Sequence, residues 1–267
     1  MIEALSIAIP IVGGVFLLLC AWYLLPYLVR SIQVKRLNTI CREKGLIVLT
    51  YDDGPSEKLT PRLLEELKSL DVPATFFIPG NSAIARPDGV RAIEDHGHHV
   101  GSHSQAHHDV QKCSPWRGIL DCVQGIRGLR DIGVHPKFFR PPYGKATLGT
   151  VLAARFNRCP AVWWTHDSGD TGAPAGRVSV MDALSSRFGG KARRAGVADQ
   201  ALIEERAKPE SRAAFLEDVT TNGGVILFHD SDRGSQVLED LTIQITRDIV
   251  EHARAKGKTL ATLDHIL

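Results

Sequence analysis

Two adjacent carboxylates end an apolar stretch in the segment "LTYDDGPS". Asp52 and Asp53 follow residues 46–49, and Gly54 and Pro55 then break the chain. Because successive side chains of a strand point in opposite directions, we expect the two carboxylates to meet different partners. One can hold a metal ion while the other acts as a base. The alternative is an ordinary turn aspartate that caps the next helix.

A group of histidines lies further along the chain, around "GSHSQAHHD". His103 and His107 are four residues apart, and on a helical turn this spacing places two imidazoles on one face, where they can hold one metal ion. The spacing alone is weak evidence. An aspartate from a neighbouring strand end would complete a two-histidine, one-carboxylate site with open positions. We expect three neighbouring histidines to be structural or solvated: His96, His98 and His99.

A basic residue and two prolines follow in "FFRPPYG". Arg140 ends a predicted strand, where it can pair with a carboxylate and keep it ionised. The prolines fix the loop, so a backbone N–H near Tyr143 is a candidate hydrogen-bond donor to an oxyanion. Pro142 is a candidate lining residue of the substrate pocket. The alternative is an ordinary Pro-Pro turn beside a surface arginine.

Two more stretches, "WWTHDSGD" and "GGVILFHD", carry acidic and histidine side chains. His229 follows an apolar run at a predicted strand end. Asp167 or Asp170 can accept a hydrogen bond from it, raise its pKa and keep it protonated as a general acid. Leu227 is a candidate for lining a pocket for a small acyl group. Trp164 is either a pocket residue that stacks on a sugar or part of the core, which is the default for a tryptophan pair.

Charge and cysteine content exclude some classes of partner. The 267-residue chain has 32 Lys and Arg against 30 Asp and Glu, and it contains no basic block. A nucleic-acid partner is therefore not expected. The 5 cysteines form no CxxC pair, so we expect free thiols of a reducing compartment rather than disulfides or a cysteine metal site.

The N-terminal segment 4–29 carries no charged side chain and exceeds the ~20 residues that a helix needs to cross a bilayer. It predicts a single uncleaved transmembrane helix within residues 1–30; a cleaved signal peptide is the less favoured interpretation. Lys and Arg occur after this segment and not before it, which predicts a catalytic domain on the cytoplasmic face of the membrane. The alternative is a periplasmic or extracellular domain.

Beyond a predicted basic linker at 31–45, strand and helix patterns alternate, which favours a parallel sheet, open or closed into a barrel. The predicted strands are 46–51, 74–78, 98–102, 137–140, 161–164 and 224–228. The predicted helices are near 61–70, 87–96, 115–131, 147–156, 209–221 and 236–256. In such folds chemistry gathers at the carboxyl ends of the strands.

One segment interrupts this alternation, an insertion at about 172–208 that contains "GGKARRAG". The favoured interpretation is a solvated surface loop. The alternative is a basic lid that contacts phosphate or lipid headgroups through four side chains. These are Arg187, Lys191, Arg193 and Arg194.

Taken together, five stretches resemble the motifs of the polysaccharide deacetylases of the NodB homology type, the fourth carbohydrate esterase family. "TYDDGPS", "HSQAH", "RPPYG", "HDSGD" and "ILFHD" occur in the order of that family, over roughly residues 46 to 265. The resemblance implies a distorted (β/α) barrel, here within a catalytic domain at 46–267. It implies a hydrolase acting on carbon–nitrogen bonds other than peptide bonds.

The resemblance also assigns roles to residues of this chain. It implies that three residues hold a divalent metal, usually zinc and sometimes cobalt or nickel: Asp53, His103 and His107. Asp52 would be the general base, with Arg140 as its ionic partner. The backbone N–H of Tyr143 would help to bind the oxyanion. His229 would be the general acid, tuned by Asp170.

The implied reaction removes the N-acetyl or a similar N-acyl group from an amino sugar in a glycan, an oligosaccharide or a lipid-linked saccharide. A membrane anchor favours the lipid-linked substrate. The chain departs from the family at Thr171, where many members have a tryptophan that lines the site, and in the long segment 172–208. Two alternatives are a catalytically inactive glycan-binding domain and a non-haem iron oxygenase. The inactive domain is disfavoured by five intact residues: Asp52, Asp53, His103, His107 and His229. The oxygenase is disfavoured because it has no use for the set of Asp52, Arg140 and His229.

Overall fold

The central element of the fold is the strand β1, Leu46–Asp52, in which every residue is buried. The computed structural model describes residues 2–171, 175–178, 208–232 and 235–267. β1 pairs in parallel with β2, Thr75–Ile78, and with the strand Gly224–His229. Covered on both faces, β1 reads as an almost continuous apolar run that ends in a carboxylate.

The sheet closes on itself. A third strand, β3 (His99–Ser102), pairs in parallel with β2. Two single-residue bridges, Ser102 to Phe139 and Phe139 to Ala161, then lead to β4, His166–Asp167. β4 pairs in parallel with Gly224–His229, and that strand pairs with β1 on the side opposite β2. This ring of pairings agrees with the predicted distorted (β/α) barrel, and the predicted α/β class is confirmed.

Two short strands complete the sheet: β5 (Gly176–Arg177), antiparallel to β4, and β7 (Thr259–Ala261), parallel to β1; Gly224–His229 is β6. After the N-terminal helix α1, the helices are α2 (Leu59–Ser69), α3 (Gly80–Ala85), α4 (Pro87–Asp95), α5 (Pro115–Asp131), α6 (Leu148–Phe156), α7 (Pro209–Asn222) and α8 (Gln236–Ala255). The sequence patterns did not predict α3, β5 or β7, and the predicted strands 137–140 and 161–164 form only the single bridges.

The side chains of β1 divide between two hydrophobic clusters. Leu49 and Tyr51 belong to the first cluster, where the Tyr51 ring stacks on Phe76 and Phe228 at centroid distances of 5.1 and 5.0 Å. Val48 belongs to the second cluster, on the opposite face. Since strand side chains alternate, Asp52 lies on the same face as Val48, toward the interior of the barrel.

The N-terminal helix corrects one prediction. α1 runs from Ile2 to Lys44, so the residues predicted as a linker are helical. Within the described part of the chain, no helix combines the length and the apolar character needed to span a membrane. The predicted single-pass transmembrane anchor is therefore wrong. The predicted membrane localisation, with the catalytic domain on the cytoplasmic face, is also wrong, because it depended on that anchor.

The C-terminal part of α1 contacts the barrel directly, mostly through residues that follow the uncharged segment 4–29. Leu37 and Cys41 are buried in the second hydrophobic cluster, and Tyr27 and Arg30 are also buried. An uncharged run in the sequence does not distinguish a lipid partner from a protein partner. The proposed division at residues 30 and 45 stays a prediction; α1 continues through the first of these boundaries and ends at Lys44, before the second.

The predicted insertion at about 172–208 lies almost entirely outside the described residues. Of this segment, the structure describes 175–178, including β5, and residue 208. The four basic side chains of the predicted lid lie outside the described residues: Arg187, Lys191, Arg193 and Arg194.

Candidate metal centre and active site

The residues singled out for chemistry meet at the carboxyl ends of the parallel strands. Asp52 ends β1 and lies directly opposite His229, which ends β6, in the register of the two strands. His103 follows β3, and Arg140 follows the bridge at Phe139. In barrels and open α/β sheets this edge carries the active site, because the loops that follow the strands converge there.

Three side chains form a candidate metal centre. The Asp53 Oδ1 atom lies 3.1 Å from His107 Nε2 and 3.4 Å from His103 Nε2. One ligand atom from each of the three residues lies within 4.8 Å of the others. Asp53 Oδ1 is buried and has no hydrogen-bond donor among the described residues. A buried carboxylate oxygen between two imidazole nitrogens fits a divalent cation, which supplies the positive charge that the oxygen otherwise lacks.

The His103 ring is held in the tautomer that a metal requires. Its Nδ1 atom lies 2.8 Å from the main-chain oxygen of Arg140. A carbonyl oxygen can only accept, so Nδ1 carries the hydrogen, and in the neutral ring Nε2 keeps its lone pair. That lone pair is on the Asp53 side of the ring. A hydrogen bond from the second ring nitrogen of this kind orients metal-binding histidines in proteins.

Charge within the cluster shifts the ligand pKa values in opposite directions. Burial alone would raise the pKa of Asp53, but the adjacent His103 and the nearby His107 and His229 lower it well below its usual range. Burial alone would lower the pKa of His103, but the Asp52 and Asp53 carboxylates raise it. Burial and the neighbouring His103 lower the pKa of His107. The cluster therefore favours an ionised Asp53 and a neutral His107, as a metal site needs.

The backbone at the site is unusual, because several of its non-glycine residues have positive φ. Asp53 has φ 74°, Ser104 65°, His107 56° and Tyr143 58°. The left-handed region is unfavourable for residues with a Cβ and is found where function or packing requires it. His103 and His107 therefore converge through an irregular loop, and the helical turn predicted from their spacing is not formed.

A buried aspartate that sequence reasoning missed supports this loop. Asp121 on α5 accepts hydrogen bonds from the backbone N–H of Ala106 at 2.8 Å and of His108 at 3.4 Å. The Ser104 hydroxyl accepts the N–H of His107 at 3.0 Å. The helix approaches so closely that a Cβ on Gly125 would lie 2.2 Å from the Ser104 carbonyl carbon. Nothing in the spacing of Asp121 to the histidines indicates this role.

The second carboxylate, Asp52, has a different partner, as its strand position predicts. Its Oδ1 atom accepts a hydrogen bond from Arg140 Nη1 at 2.8 Å, and the side chains are 5% and 0% exposed. The same Nη1 atom donates to the Thr50 hydroxyl at 2.8 Å, and the guanidinium lies 4.0 Å above the Phe77 ring. Asp52 Oδ2 is 3.8 Å from His103 Nε2, which places the free oxygen beside the candidate metal centre.

The sequence left Asp167 and Asp170 as alternative hydrogen-bond partners of His229, and in the structure the partner is Asp170. The Asp170 carboxylate accepts the His229 backbone N–H at 2.8 Å and faces its Nδ1 atom at 3.1 Å. Thr242 donates a further hydrogen bond to Asp170 at 3.2 Å. Asp167 instead accepts the N–H of Gly169 at 2.9 Å, and burial raises its pKa.

Another residue missed in the sequence, Asp230, fixes the loop that follows β1. Its backbone N–H donates to the Asp52 carbonyl at 2.7 Å, and its Oδ2 atom accepts from the Thr60 hydroxyl at 2.7 Å. A Cβ on Gly54 would lie 2.4 Å from that same oxygen. The glycine of "DDGP" is thus required by close approach of this carboxylate. Asp230 directly follows His229 in the sequence, and this position was the signal that could have indicated its role.

The remaining candidates lie around the centre. The exposed Tyr143 ring packs edge-on against His107 at a centroid distance of 4.7 Å, which places this side chain beside the candidate metal ligands. Pro142 precedes it and is buried. Leu227 and Trp164 are buried in the second hydrophobic cluster. The roles of Pro142, Leu227 and Trp164 as pocket residues stay predictions.

The chain belongs to the polysaccharide deacetylase family, because the family model "Polysaccharide deacetylase" matches residues 39–172. This confirms the predicted family and, at the level of the family, the predicted enzyme class, a polysaccharide N-deacetylase.

Three relatives illustrate the similarity. A peptidoglycan-N-acetylglucosamine deacetylase of Bacillus cereus is 32% identical over 149 residues, which is 55% of this chain and 54% of the relative. A chitin deacetylase of Colletotrichum lindemuthianum is 29% identical over 241 residues, 85% of this chain and 81% of the relative. A solved chitin deacetylase structure from that fungus has a TM-score of 0.60 at 27% identity, covering 84% of this chain and 88% of its own.

Proposed function

We propose that this protein is a metal-dependent N-deacetylase that hydrolyses the N-acetyl group, or a similar N-acyl group, of an amino sugar in a glycan. One observation carries the proposal: a buried Asp53 oxygen lies between the Nε2 atoms of His103 and His107, directly beside an independently paired carboxylate. Two adjacent carboxylates thus have separate partners, as a metal ligand and a base must have.

The donor set fits a divalent ion. Two imidazoles and one carboxylate with open positions are typical of catalytic zinc, and the same set accepts Co²⁺ or Ni²⁺. Asp53, His103 and His107 would hold such an ion, which would supply Lewis-acid activation of an acyl carbonyl and would lower the pKa of water from about 15.7 toward about 7.

The base is Asp52. Its Oδ1 atom is held by Arg140, which fixes the orientation of the carboxylate, while Oδ2 faces the metal ligands. From that position Asp52 takes the proton of the attacking water. The backbone N–H of Tyr143, in a turn that is packed on His107, donates a hydrogen bond to the oxyanion that forms.

The acid is His229. Its Nδ1 atom faces the Asp170 carboxylate, which favours the protonated imidazolium and leaves Nε2 as the atom that gives up a proton. Protonation of the nitrogen is needed because an amide nitrogen leaves poorly as an anion. The register of β1 and β6 places this acid opposite Asp52, so that base and acid flank the reacting carbonyl.

The substrate class follows from the relatives, whose names specify peptidoglycan and chitin. Both polymers carry N-acetylglucosamine, so we propose an N-acetylated glycan of this kind as the substrate. A lipid-linked amino sugar is the second candidate, and a substrate panel distinguishes the two. The panel contains N-acetylated chitooligosaccharides, peptidoglycan fragments and a polyprenyl-linked N-acetyl amino sugar, and release of acetate is measured for each.

The test of the proposal compares metal content with turnover. Treatment with a chelator should abolish acetate release, and added Zn²⁺ should restore it. Asp53→Ala and His103→Ala should lose both bound zinc and activity, whereas Asp52→Asn should retain zinc and lose most turnover. Arg91→Met, at an exposed position, is the control variant.

Three results would contradict the proposal. Full zinc occupancy in Asp53→Ala and His103→Ala would refute the ligand assignment. Near-normal turnover by Asp52→Asn would place the base elsewhere. Zinc-loaded wild-type protein that binds the glycans without releasing acetate would favour the inactive glycan-binding alternative.

A further inference from the structure

One face of α1 reaches three segments around the active site. Tyr27, Arg30 and Gln33 are spaced by three residues and therefore share a side of the helix. The Gln111 side chain donates a hydrogen bond to the Tyr27 hydroxyl, and Arg30 and Gln33 contact the segments that carry the third and fourth motifs. All three residues lie outside the five motifs.

Gln33 fixes the stretch that leads into β4. Its Nε2 atom donates to the Ala161 carbonyl at 2.9 Å, and its Oε1 atom accepts the Trp163 N–H at 2.9 Å. These two backbone groups belong to residues i and i+2 and face the same way, as in a strand. The carboxamide therefore occupies the hydrogen-bonding positions that a neighbouring strand would take.

Arg30 contacts the turn Pro142–Gly144, which contains the proposed oxyanion donor. Its Nη1 atom donates to the Gly144 carbonyl at 3.2 Å, and the same oxygen accepts Trp163 Nε1 at 2.9 Å. Arg30 is 7% exposed, so this hydrogen bond is shielded from water. The contact is tight, since a Cβ on Gly144 would lie 3.0 Å from Arg30 Nη1 and 2.8 Å from the Trp164 ring.

The Trp164 ring connects Arg30 to the base. The Arg30 guanidinium carbon lies 5.3 Å from the ring centre, and that of Arg140 lies 5.5 Å from it. Arg140 in turn holds Asp52. A displacement of Arg30 therefore affects two elements of the site, the turn at Tyr143 and the packing around Arg140.

We propose that Arg30 is a positioning residue, which holds the Pro142–Gly144 turn so that the Tyr143 N–H is directed at the reaction centre. Tyr143 has a φ of 58°, which is unfavourable for a residue with a Cβ and needs support from its surroundings. The hydrogen bond from Arg30 to the next carbonyl provides that support. The predicted effect on turnover rests on the proposed deacetylase function, whereas the predicted effect on the turn does not.

Two measurements on the full chain test this role. Arg30→Met retains the length and apolar stem but lacks the donor. Loss of an oxyanion donor typically lowers kcat by about 10²–10³-fold, so a donor that is displaced rather than deleted should lower kcat by about 10-fold. KM for N-acetylated chitooligosaccharides and zinc content should stay unchanged. Arg30→Lys, which keeps a donor, should recover part of the loss, and Arg36→Met, an exposed position on the same helix, should behave as wild type.

Hydrogen exchange gives the independent readout. The amides of Gly144 and Lys145 donate to Pro141 and Pro142 within the turn. In Arg30→Met a peptide covering 141–146 should exchange about 5-fold faster, as expected for the loss of one hydrogen bond, while a peptide covering β1 should not change. If Arg30→Met does not fold, Arg30→Gln is measured in the same way.

The outcomes separate the two proposals. Faster exchange confined to 141–146, with a fall in kcat at constant KM, supports the positioning role. Wild-type exchange and wild-type kcat in Arg30→Met would overturn it. If wild-type protein releases no acetate, the proposed function fails, and exchange at 141–146 still decides whether Arg30 holds the turn.

Discussion

The pair of Arg140 and Asp52 is a fully buried ion pair, and its removal can be tested one partner at a time. Arg140 is 0% exposed, and its Nη1 atom is 2.8 Å from Asp52 Oδ1. Burial lowers the pKa of Arg140, and the Asp52 charge opposes that shift. The informative perturbation is a double-mutant cycle of Arg140→Met, Asp52→Asn and the combined variant.

The expected magnitudes follow from this geometry. At 2.8 Å and an effective dielectric constant of about 20, the attraction between two unit charges is about 6 kcal/mol. Desolvation costs several kcal/mol for each ion and largely offsets this gain, so that the net stabilisation by the intact pair is small. Removal of one partner leaves the other buried and uncompensated, at a cost of about 3–5 kcal/mol. The combined variant leaves no uncompensated buried charge and should lose less than either single one, which gives a coupling energy of at least about 3 kcal/mol.

The assay is urea unfolding of chelator-treated protein at pH 7, so that bound metal does not contribute to the free energy of unfolding. The matched control is the exposed pair of Arg91 and Asp88, 2.9 Å apart, whose coupling should be about 0.5 kcal/mol or less. If the effects of Arg140→Met and Asp52→Asn add to within about 0.5 kcal/mol, the two groups are not coupled and the reasoning is refuted.

Two further predictions concern a buried histidine and the loop of the metal ligands. Burial lowers the pKa of His98 to about 4, so between about pH 6.5 and 4 the unfolded chain binds a proton that the native state does not. The free energy of unfolding should therefore decrease as the pH is lowered, and this residue should contribute about 2 kcal/mol of the decrease between pH 7 and 5. His98→Leu should reduce the decrease, measured by denaturant unfolding, by that amount. An unchanged decrease would contradict the prediction. Asp121→Asn should weaken zinc binding by about 10–100-fold in chelator competition, because it loosens the loop that carries His107. Asp131→Asn on the exposed side of the same helix is the control, and equal affinities in the two variants would exclude a role for Asp121.

The sequence predicted the parts of the site that follow from strand geometry. Asp52, Arg140 and His229 follow apolar runs, and parallel strands place such positions at one edge of the sheet. The separate partners of Asp52 and Asp53 also follow, since side chains alternate along a strand. These inferences need only the local pattern and the topology that the strand-helix alternation implies.

Loop conformation was beyond the reach of the same reasoning. His103 and His107 were expected on a helical turn, and the structure instead has positive φ at Ser104 and His107. Nothing in the local sequence requires that conformation, because its support comes from Asp121 on α5. Hydrogen bonds between segments distant in sequence decide it, and single-sequence patterns do not contain them.

The N-terminal helix shows the same limit at the scale of a whole element. Hydropathy measures how unfavourable it is to expose a segment to water, and it does not distinguish a lipid partner from a protein partner. In α1 the contacts with the barrel come mainly from residues after this apolar segment, and they include polar side chains. The sequence pattern assigns Arg30 to the flanking positive charge and Gln33 to the linker, yet each side chain donates a hydrogen bond to a backbone carbonyl of the barrel. A buried arginine with a main-chain acceptor is costly unless the acceptor is fixed, so the helix and the Pro142–Gly144 turn stabilise each other. The helix that composition sets apart from the rest of the chain therefore contacts the turn beside the candidate active site.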